Sequence, residues 1–233
     1  MLCNIRRACW RAGAFNDRFR DAAMGGSPFG DPTLQGFLTG LYTDPNPTAA
    51  ANPNAGDLQC LESYKTLLKL SMAGNLRDYV VTLPDGSQKA GAQVGYGHFP
   101  AAYCKQPQEN VLYLGCHDNE ALYDQMVLKM NHRGQAEACK RGVELALGVI
   151  GVSQGIAFFH AGDDLLRSKS LDRDSYNSGD WFNKLIWDGS SNNFGVRSVP
   201  LLPVSFPRFC GVLGSRGYSK HCTTCTCLLG LNV

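Results

Sequence analysis

Two short apolar runs that each end abruptly in polar residues constrain the fold of this chain more than any other feature. The first covers residues 111–116 and is followed by the sequence His-Asp-Asn-Glu at 117–120. The second covers residues 155–159 and is followed by a polar stretch that begins at His160. Between them, residues 141–150 have the apolar content of the second half of a helix. Strand, helix, strand is the repeating unit of an α/β barrel, in which functional groups lie at the carboxyl ends of the strands.

Composition argues against several other classes of protein. The chain has 233 residues, of which 44% are hydrophobic and 18% are charged, whereas intrinsic disorder needs low hydrophobicity and high net charge. The formal charge is only +2, so we expect no nucleic-acid partner. No apolar run approaches the ~20 residues that a membrane helix needs, so we expect no membrane partner either.

Residues 57–74 have the pattern of a helix, with Asp57 as a candidate N-cap and Gly74 as a stop. Its apolar residues recur at helical spacing: Leu58, Leu61, Tyr64, Leu67, Leu68 and Met72. Residues 78–83 alternate enough for a short strand, and the Pro-Asp-Gly sequence that follows turns the chain. We expect loops in three segments, at residues 14–43, 44–56 and 87–110.

Four stretches of sequence, occurring in a consistent order, carry a specific resemblance. They read FNDRFRDA with GGSPFG at 15–30, MAGNL at 72–76, CHDNEALYD at 116–124 and FFHAGDDLLRSKSLDRDSYNSGDWFN at 158–183. Together they resemble pullulanase-type starch debranching enzymes, above all the plant and algal limit dextrinases, which are glycoside hydrolases of the α-amylase superfamily. The resemblance covers roughly residues 14–196.

The resemblance implies a fold of the α/β class, namely a partial TIM (β/α)8 barrel with only the last strands and helices. It divides the chain into a non-matching N-terminus at 1–13, a partial catalytic barrel at 14–196 and a non-matching Cys-rich tail at 197–233. The β-rich domain that follows the barrel in the family is not matched by this tail.

The resemblance also implies the roles of four residues. Asp118 corresponds to the aspartate that stabilises the oxocarbenium-like transition state, and a fixed carboxylate suits a developing positive sugar ring. Substrate binding is implied for His117, Asn119 and Arg173. We expect no metal and no cofactor.

The activity implied by the resemblance is hydrolysis of α-1,6 branch linkages in pullulan, amylopectin and limit dextrins, with retention of configuration. The motifs that carry the nucleophile and the acid/base are not found in this chain, so we expect it to be inactive alone. The expected partners are branched α-glucan and further copies of the chain, associating through exposed barrel edges. The implied location is the plastid stroma, although no transit peptide is recognisable in the sequence.

Several features have a structural interpretation beside the functional one. His117 and Asp118 could be a satisfied histidine and a helix cap at a strand–helix junction. Asp163 and Asp164 are more typical of a cap for a helix at Leu165 than of a catalytic pair. The aromatic pair 181–182 could stack on sugar rings or pack in a core. The other histidines, His98, His132 and His160, have no ligand-like spacing.

Ten cysteines are distributed unevenly, and those in the middle are few and widely spaced, as in a reduced intracellular domain. Cys222, Cys225 and Cys227 in the tail offer thiol ligands, so a metal-binding protein is one alternative. A non-native reading frame would also account for the tail. Another alternative is a carbohydrate-binding fragment without catalysis, which would bind dextrin without turning it over.

Overall fold

The computed structural model describes residues 13–46, 58–131 and 136–195. Within them the strands are β1 (Ala14–Phe15), β2 (Val80–Thr82), β3 (Gln88–Ala90), β4 (Gly95–Tyr96), β5 (Phe99–Pro100), β6 (Asn110–Leu112) and β7 (Ile156–Ala157). The α-helices are α1 (Asp17–Arg20), α2 (Leu58–Met72), α3 (Leu122–Lys129), α4 (Ala136–Gly151) and α5 (Asp180–Asn183). A π-helical turn, Asp21–Gly25, continues α1.

Strands β1, β6 and β7 form a parallel sheet in the order β1-β6-β7. Phe15 is opposite Val111, and Val111 is opposite Ile156. Helices α3 and α4 lie between β6 and β7 in the sequence, which confirms the predicted strand–helix–strand unit. The strands themselves are two or three residues long, shorter than the apolar runs that predicted them.

The helices bury a conventional apolar core. Leu67, Leu68 and Leu70 of α2 are buried, as are Val143 and Ile150 of α4. In α4 the buried residues Cys139, Val143, Ala146 and Ile150 recur at three- and four-residue intervals, so this helix turns one face inwards. The predicted helix over residues 57–74 is therefore confirmed from Leu58 to Met72, whereas its proposed cap Asp57 lies outside the described residues.

Two buried asparagines join β1 to β6 and to α2. The Asn16 Nδ2 donates to Asn110 Oδ1 at 2.9 Å, while Asn16 Oδ1 caps α1 by accepting from the Phe19 amide at 3.1 Å. The Asn110 Nδ2 donates to the carbonyl of Ser71 at 3.1 Å and to that of Gln154 at 3.2 Å. Both asparagines are fully buried, so these bonds provide the partners that their amides need.

Three predictions about local structure need correction. The predicted loop at 14–43 contains β1, α1 and the π-helical turn, which sequence periodicity could not reveal because each is only two to five residues long. The predicted loop at 87–110 contains β3, which pairs with β2 to form an antiparallel hairpin, and the β4–β5 hairpin. The second apolar run is not buried throughout, since Ile156 and Phe159 are both exposed.

Within the described part of the chain, no helix is both long enough and apolar enough to cross a bilayer.

Candidate functional site

A cavity of about 190 Å³ opens beyond the carboxyl end of β6. Its walls come from three segments that are distant in sequence: residues 24–32, residues 113–120 and the loop that carries Arg173. The helix that follows β6 contributes Gln125 and Lys129. The cavity therefore lies where α/β architectures place their chemistry, at the end of a parallel strand.

His117 and Asp118 are presented to solvent at this strand end. Their side chains are 85% and 72% exposed, and His117 Nε2 lies 3.4 Å from Asp118 Oδ1. Asn119 has a positive φ of 59°, a conformation that asparagine tolerates better than most residues. Helix α3 is preceded by Ala121 as its N-cap residue, with no side-chain cap. The alternative in which Asp118 caps this helix is therefore wrong, and its carboxylate remains accessible.

Asp118 and Asn119 both line the cavity, whereas His117 lies beside it. Glu120 also lines the cavity but is buried. Consecutive residues of the predicted motif therefore lie at the same edge of the cavity. The Asp118 carboxylate is exposed there, whereas the Glu120 carboxylate is buried.

Arg173 bridges two walls of the cavity. Its Nη2 donates to the carbonyl of Pro28 and, at 3.0 Å, to that of Gly30. Its Nε lies 3.4 Å from Oε1 of the buried Glu120. The structure thus brings Arg173 to Glu120 of the motif, and its Nε and Nη2 already have protein partners. The pairing with Glu120 was missed, because no sequence spacing links positions 120 and 173.

Lys129 supports the wall formed by residues 24–32. Its buried ammonium donates to the carbonyls of Gly25 and Leu34, both at 2.9 Å. Burial lowers its pKa to about 8, although the Glu120 carboxylate opposes this effect. Sequence reasoning missed this residue, since a single lysine at the end of a helix resembles any solvent-exposed lysine.

A charged and aromatic cluster adjoins the cavity, and two of its members, Arg20 and Tyr113, line it. Arg20 pairs with Asp21 at 2.6 Å, and its Nη1 donates to the hydroxyl of Tyr113. The Tyr96 hydroxyl donates to the second oxygen of Asp21 at 2.5 Å. Burial raises the pKa of the Asp21 carboxyl above its usual value, although the adjacent Arg20 guanidinium opposes this effect. These contacts hold Arg20 at the cavity edge, where it lines the wall.

Asp163 and Asp164 lie away from this cavity and do not cap a helix. They fall inside a 3-10 turn, Asp163–Leu165, which is preceded by Gly162. Burial, with the charge of Asp164, raises the pKa of Asp163 to about 7. The neighbouring His160 Nδ1 is 3.9 Å from Asp163 Oδ1, and burial with the charge of Arg167 lowers the His160 pKa to about 4. The predicted capping role is therefore wrong.

Core packing is excluded for Trp181, which is 63% exposed and has the Lys184 ammonium 4.6 Å from its ring centroid. Phe182 is half-buried. Among the residues that the structure describes, no group of three His, Cys, Asp or Glu side chains could hold a metal ion. His132 and the Cys-rich tail lie outside those residues.

Comparison with curated proteins identifies the type of sequence, although no protein-family model matches. The chain is 48% identical over 189 residues to Pullulanase 1, chloroplastic, of Arabidopsis thaliana. The matched part of the chain is of the pullulanase type. This match covers 81% of the chain and 20% of the Arabidopsis protein. A pullulanase of Klebsiella pneumoniae is 38% identical over 188 residues, covering 79% of the chain and 17% of that protein.

Solved pullulanase structures agree with this result. The crystal structure of the maltotriose complex of PulA from Klebsiella pneumoniae matches with a TM-score of 0.72 and 36% identity, over 78% of this chain and 20% of that one. The described residues thus share the fold of part of a pullulanase, with mixed helices and strands. The chain spans about a fifth of the length of the relatives it matches.

Proposed function

We propose that this chain provides part of the glucan-binding and transition-state-stabilising machinery of an α-1,6-debranching glycosidase. The observation that carries the proposal is the exposed Asp118 carboxylate at the end of β6, on a cavity in a pullulanase-type region. Its substrate class is branched α-glucan, including pullulan, amylopectin and limit dextrins. The maltotriose complex of the Klebsiella protein supports a glucan ligand.

The proposed roles follow from side-chain chemistry. Asp118 stabilises positive charge developing on a sugar ring, because its carboxylate is accessible from the cavity. His117 and Asn119 supply hydrogen bonds to sugar hydroxyls. Arg173 acts through the cavity wall as well as on substrate, since its guanidinium holds Glu120 and the carbonyls of residues 28 and 30.

We further propose that these residues alone do not hydrolyse glucan. A retaining glycosidase needs two carboxyl groups about 5–5.5 Å apart on either side of the scissile bond. Among the described residues that line the cavity, Asp118 and Glu120 are the two carboxylates. Glu120 is buried and paired with Arg173, so it is poorly suited to attack or protonate a sugar. The burial of Glu120 and its pairing with Arg173 also favour the alternative, in which the chain binds glucan without hydrolysing it.

The proposed architecture is part of a (β/α)8 barrel spanning residues 14–196, flanked by unrelated segments at 1–13 and 197–233. Its support is the parallel order β1-β6-β7 with α3 and α4 before β7. The flanking segments and the metal-binding alternative of the Cys-rich tail fall outside the described residues.

Self-association through the sheet is proposed from its exposed apolar face. Phe15 is 51% exposed and stacks edge-on with Tyr113 and Phe158, at centroid distances of 4.9 and 5.2 Å. Ile156 lies on the same face and is also exposed. Within the described residues, β1 and β7 each pair with β6 alone, so each has an open edge.

Analytical ultracentrifugation tests this proposal with Phe15→Asn, and with Val152→Asn at an exposed helix end as the control. We expect the unaltered chain and the Val152 variant to sediment as oligomers and the Phe15 variant to shift towards monomer. A monomeric unaltered chain would contradict the proposal.

A plastid location is proposed from the chloroplastic Arabidopsis relative, although bacterial relatives match as well. An antibody raised against residues 58–131 should detect the protein in intact, protease-treated plastids of its source. Detection in another fraction alone would refute the proposed location.

Binding of maltotriose and of a branched dextrin, followed by calorimetry, tests the proposed site. Asp118→Asn and His117→Ala should each weaken binding, by about tenfold where a hydrogen bond to the Asp118 carboxylate is lost. Asp78→Asn and His98→Ala are matched controls, because both side chains are exposed and lie outside the cavity lining. Equal affinity in all four variants would contradict the proposed site.

A further inference from the structure

Three buried polar side chains connect the loop before Arg173 to the backbone of the His117–Asp118 motif. Ser168 and Lys169 lie in this loop, and Asp124 lies in the first turn of α3. Ser168 and Asp124 are fully buried and Lys169 is 1% exposed. Lysine and aspartate are almost never buried to this degree unless they have specific partners.

Asp124 anchors the loop through both of its carboxylate oxygens. Oδ1 accepts from the Ser168 hydroxyl at 2.5 Å, and Oδ2 accepts from the backbone amide of Lys169 at 2.7 Å. Ser168 Oγ in turn accepts from the amide of Ser170 at 2.8 Å. Ser170 and Leu171 have positive φ angles of 52° and 65°, so this backbone is in a conformation that its contacts must maintain.

The Lys169 side chain extends from this anchored loop to the motif. Its Nζ donates to the backbone carbonyl of His117 at 3.1 Å. That carbonyl belongs to the peptide group that joins His117 to Asp118, so the hydrogen bond restrains the plane from which the Asp118 side chain departs. Four residues further along, Arg173 binds the carbonyls on the opposite wall.

We propose that Lys169 and Asp124 are positioning residues that fix the His117–Asp118 peptide against the far wall of the cavity. Asp124 fixes the loop, the loop aims the Lys169 ammonium, and the ammonium holds the His117 carbonyl. Neither residue lines the cavity, so they act through the motif and not on a sugar. The role assigned to this positioning depends on the proposed function, but the hydrogen-bonded connection can be tested without any sugar.

The test is NMR spectroscopy of the full chain labelled with ¹³C at histidine carbonyls and ¹⁵N throughout. In the unaltered chain we expect a through-hydrogen-bond coupling between Lys169 Nζ and the His117 carbonyl carbon. Lys169→Met should remove it and shift the His117 carbonyl and Asp118 amide resonances, while resonances of α2 stay in place. Lys89→Met, at an exposed strand position, is the matched control and should shift neither.

Asp124→Asn separates positioning from direct contact, because Asp124 is bonded to Ser168 and Lys169 and not to the motif. In this variant one carboxylate acceptor becomes an amide donor, which faces either the Ser168 hydroxyl or the Lys169 amide. One of the two bonds that anchor the loop is therefore altered, and the same His117 and Asp118 resonances should shift. Unchanged resonances in both variants would overturn the proposal. If Lys169→Met unfolds the chain, the coupling in the unaltered chain decides, and its absence overturns the proposal. Loss of dextrin binding in every form of the chain would refute the proposed function and leave this result intact.

Discussion

The buried Lys129 ammonium beside the cavity wall should make the free energy of unfolding depend on pH. Its ammonium is buried and bonded to the carbonyls of Gly25 and Leu34. Burial lowers its pKa from 10.5 to about 8. Between these values the unfolded chain binds a proton at this site that the folded chain has released. Stability contributed by Lys129 therefore rises with pH through this window.

The magnitude follows from the two pKa values. A difference of about 2.5 corresponds to about 3 kcal/mol at 1.36 kcal/mol per pKa unit. Other groups also change stability in this pH range, including Cys104, whose thiol has a pKa of 9.0 when unfolded and about 12 when buried. Because those groups also occur in a Lys129→Met variant, they cancel when the two free energies of unfolding are subtracted.

The assay is denaturant unfolding of the unaltered chain and of Lys129→Met at several pH values from 7 to 10.5. The free energy of unfolding of the unaltered chain should rise relative to the variant by about 3 kcal/mol across this range. Lys89→Met, at an exposed position, should show a constant difference. A constant difference for Lys129→Met would refute the inference that the Lys129 ammonium is buried in the folded chain.

Two further substitutions test the packing that places the cavity. Asn110→Leu should lower the free energy of unfolding by about 3 kcal/mol, because it removes three hydrogen bonds, one of them the bond to the fully buried Asn16 amide. Asn131→Leu, at a half-buried amide, should cost under about 1 kcal/mol and is the control. Gly36→Ala would place a Cβ 2.4 Å from the Gly25 nitrogen and should destabilise by more than about 2 kcal/mol. Gly148→Ala, within α4 and with open space around its Cβ, should stabilise by up to about 1 kcal/mol. Denaturant unfolding measures all four variants, and equal stability of the two glycine variants would contradict the close approach of residues 25 and 36.

Long elements with a periodic pattern could be predicted from the sequence. Helix α2 shows apolar residues at helical spacing, and the polar ends of β6 and β7 follow apolar runs, so both features are visible locally. The short strands β1, β4 and β5 could not be predicted, because two residues carry no periodicity. Ile156 belongs to an apolar run but is exposed, because burial depends on whether another element covers that face of the sheet.

The residues of the candidate site also fall into a group that could be predicted from the sequence and a group that could not. His117, Asp118, Asn119 and Arg173 follow from motifs that resemble a family, and the structure brings their segments together around one cavity wall and its rim. Glu120, Lys129 and Lys169 could not be distinguished from surface charges, because their burial is set by partners 53, 95 and 52 residues away. Such long-range pairing leaves no spacing signal in a single sequence.

Reducing-sugar release from pullulan by a size-homogeneous preparation of this chain, beside Asp118→Asn, tests the central claim most directly. The claim is that the chain supplies the stabilising aspartate but not the pair of carboxyl groups that retaining hydrolysis requires. We predict no release above background from either preparation, while the unaltered chain still binds dextrin. Release that Asp118→Asn abolishes would contradict the claim, because it would require a nucleophile and an acid within these 233 residues.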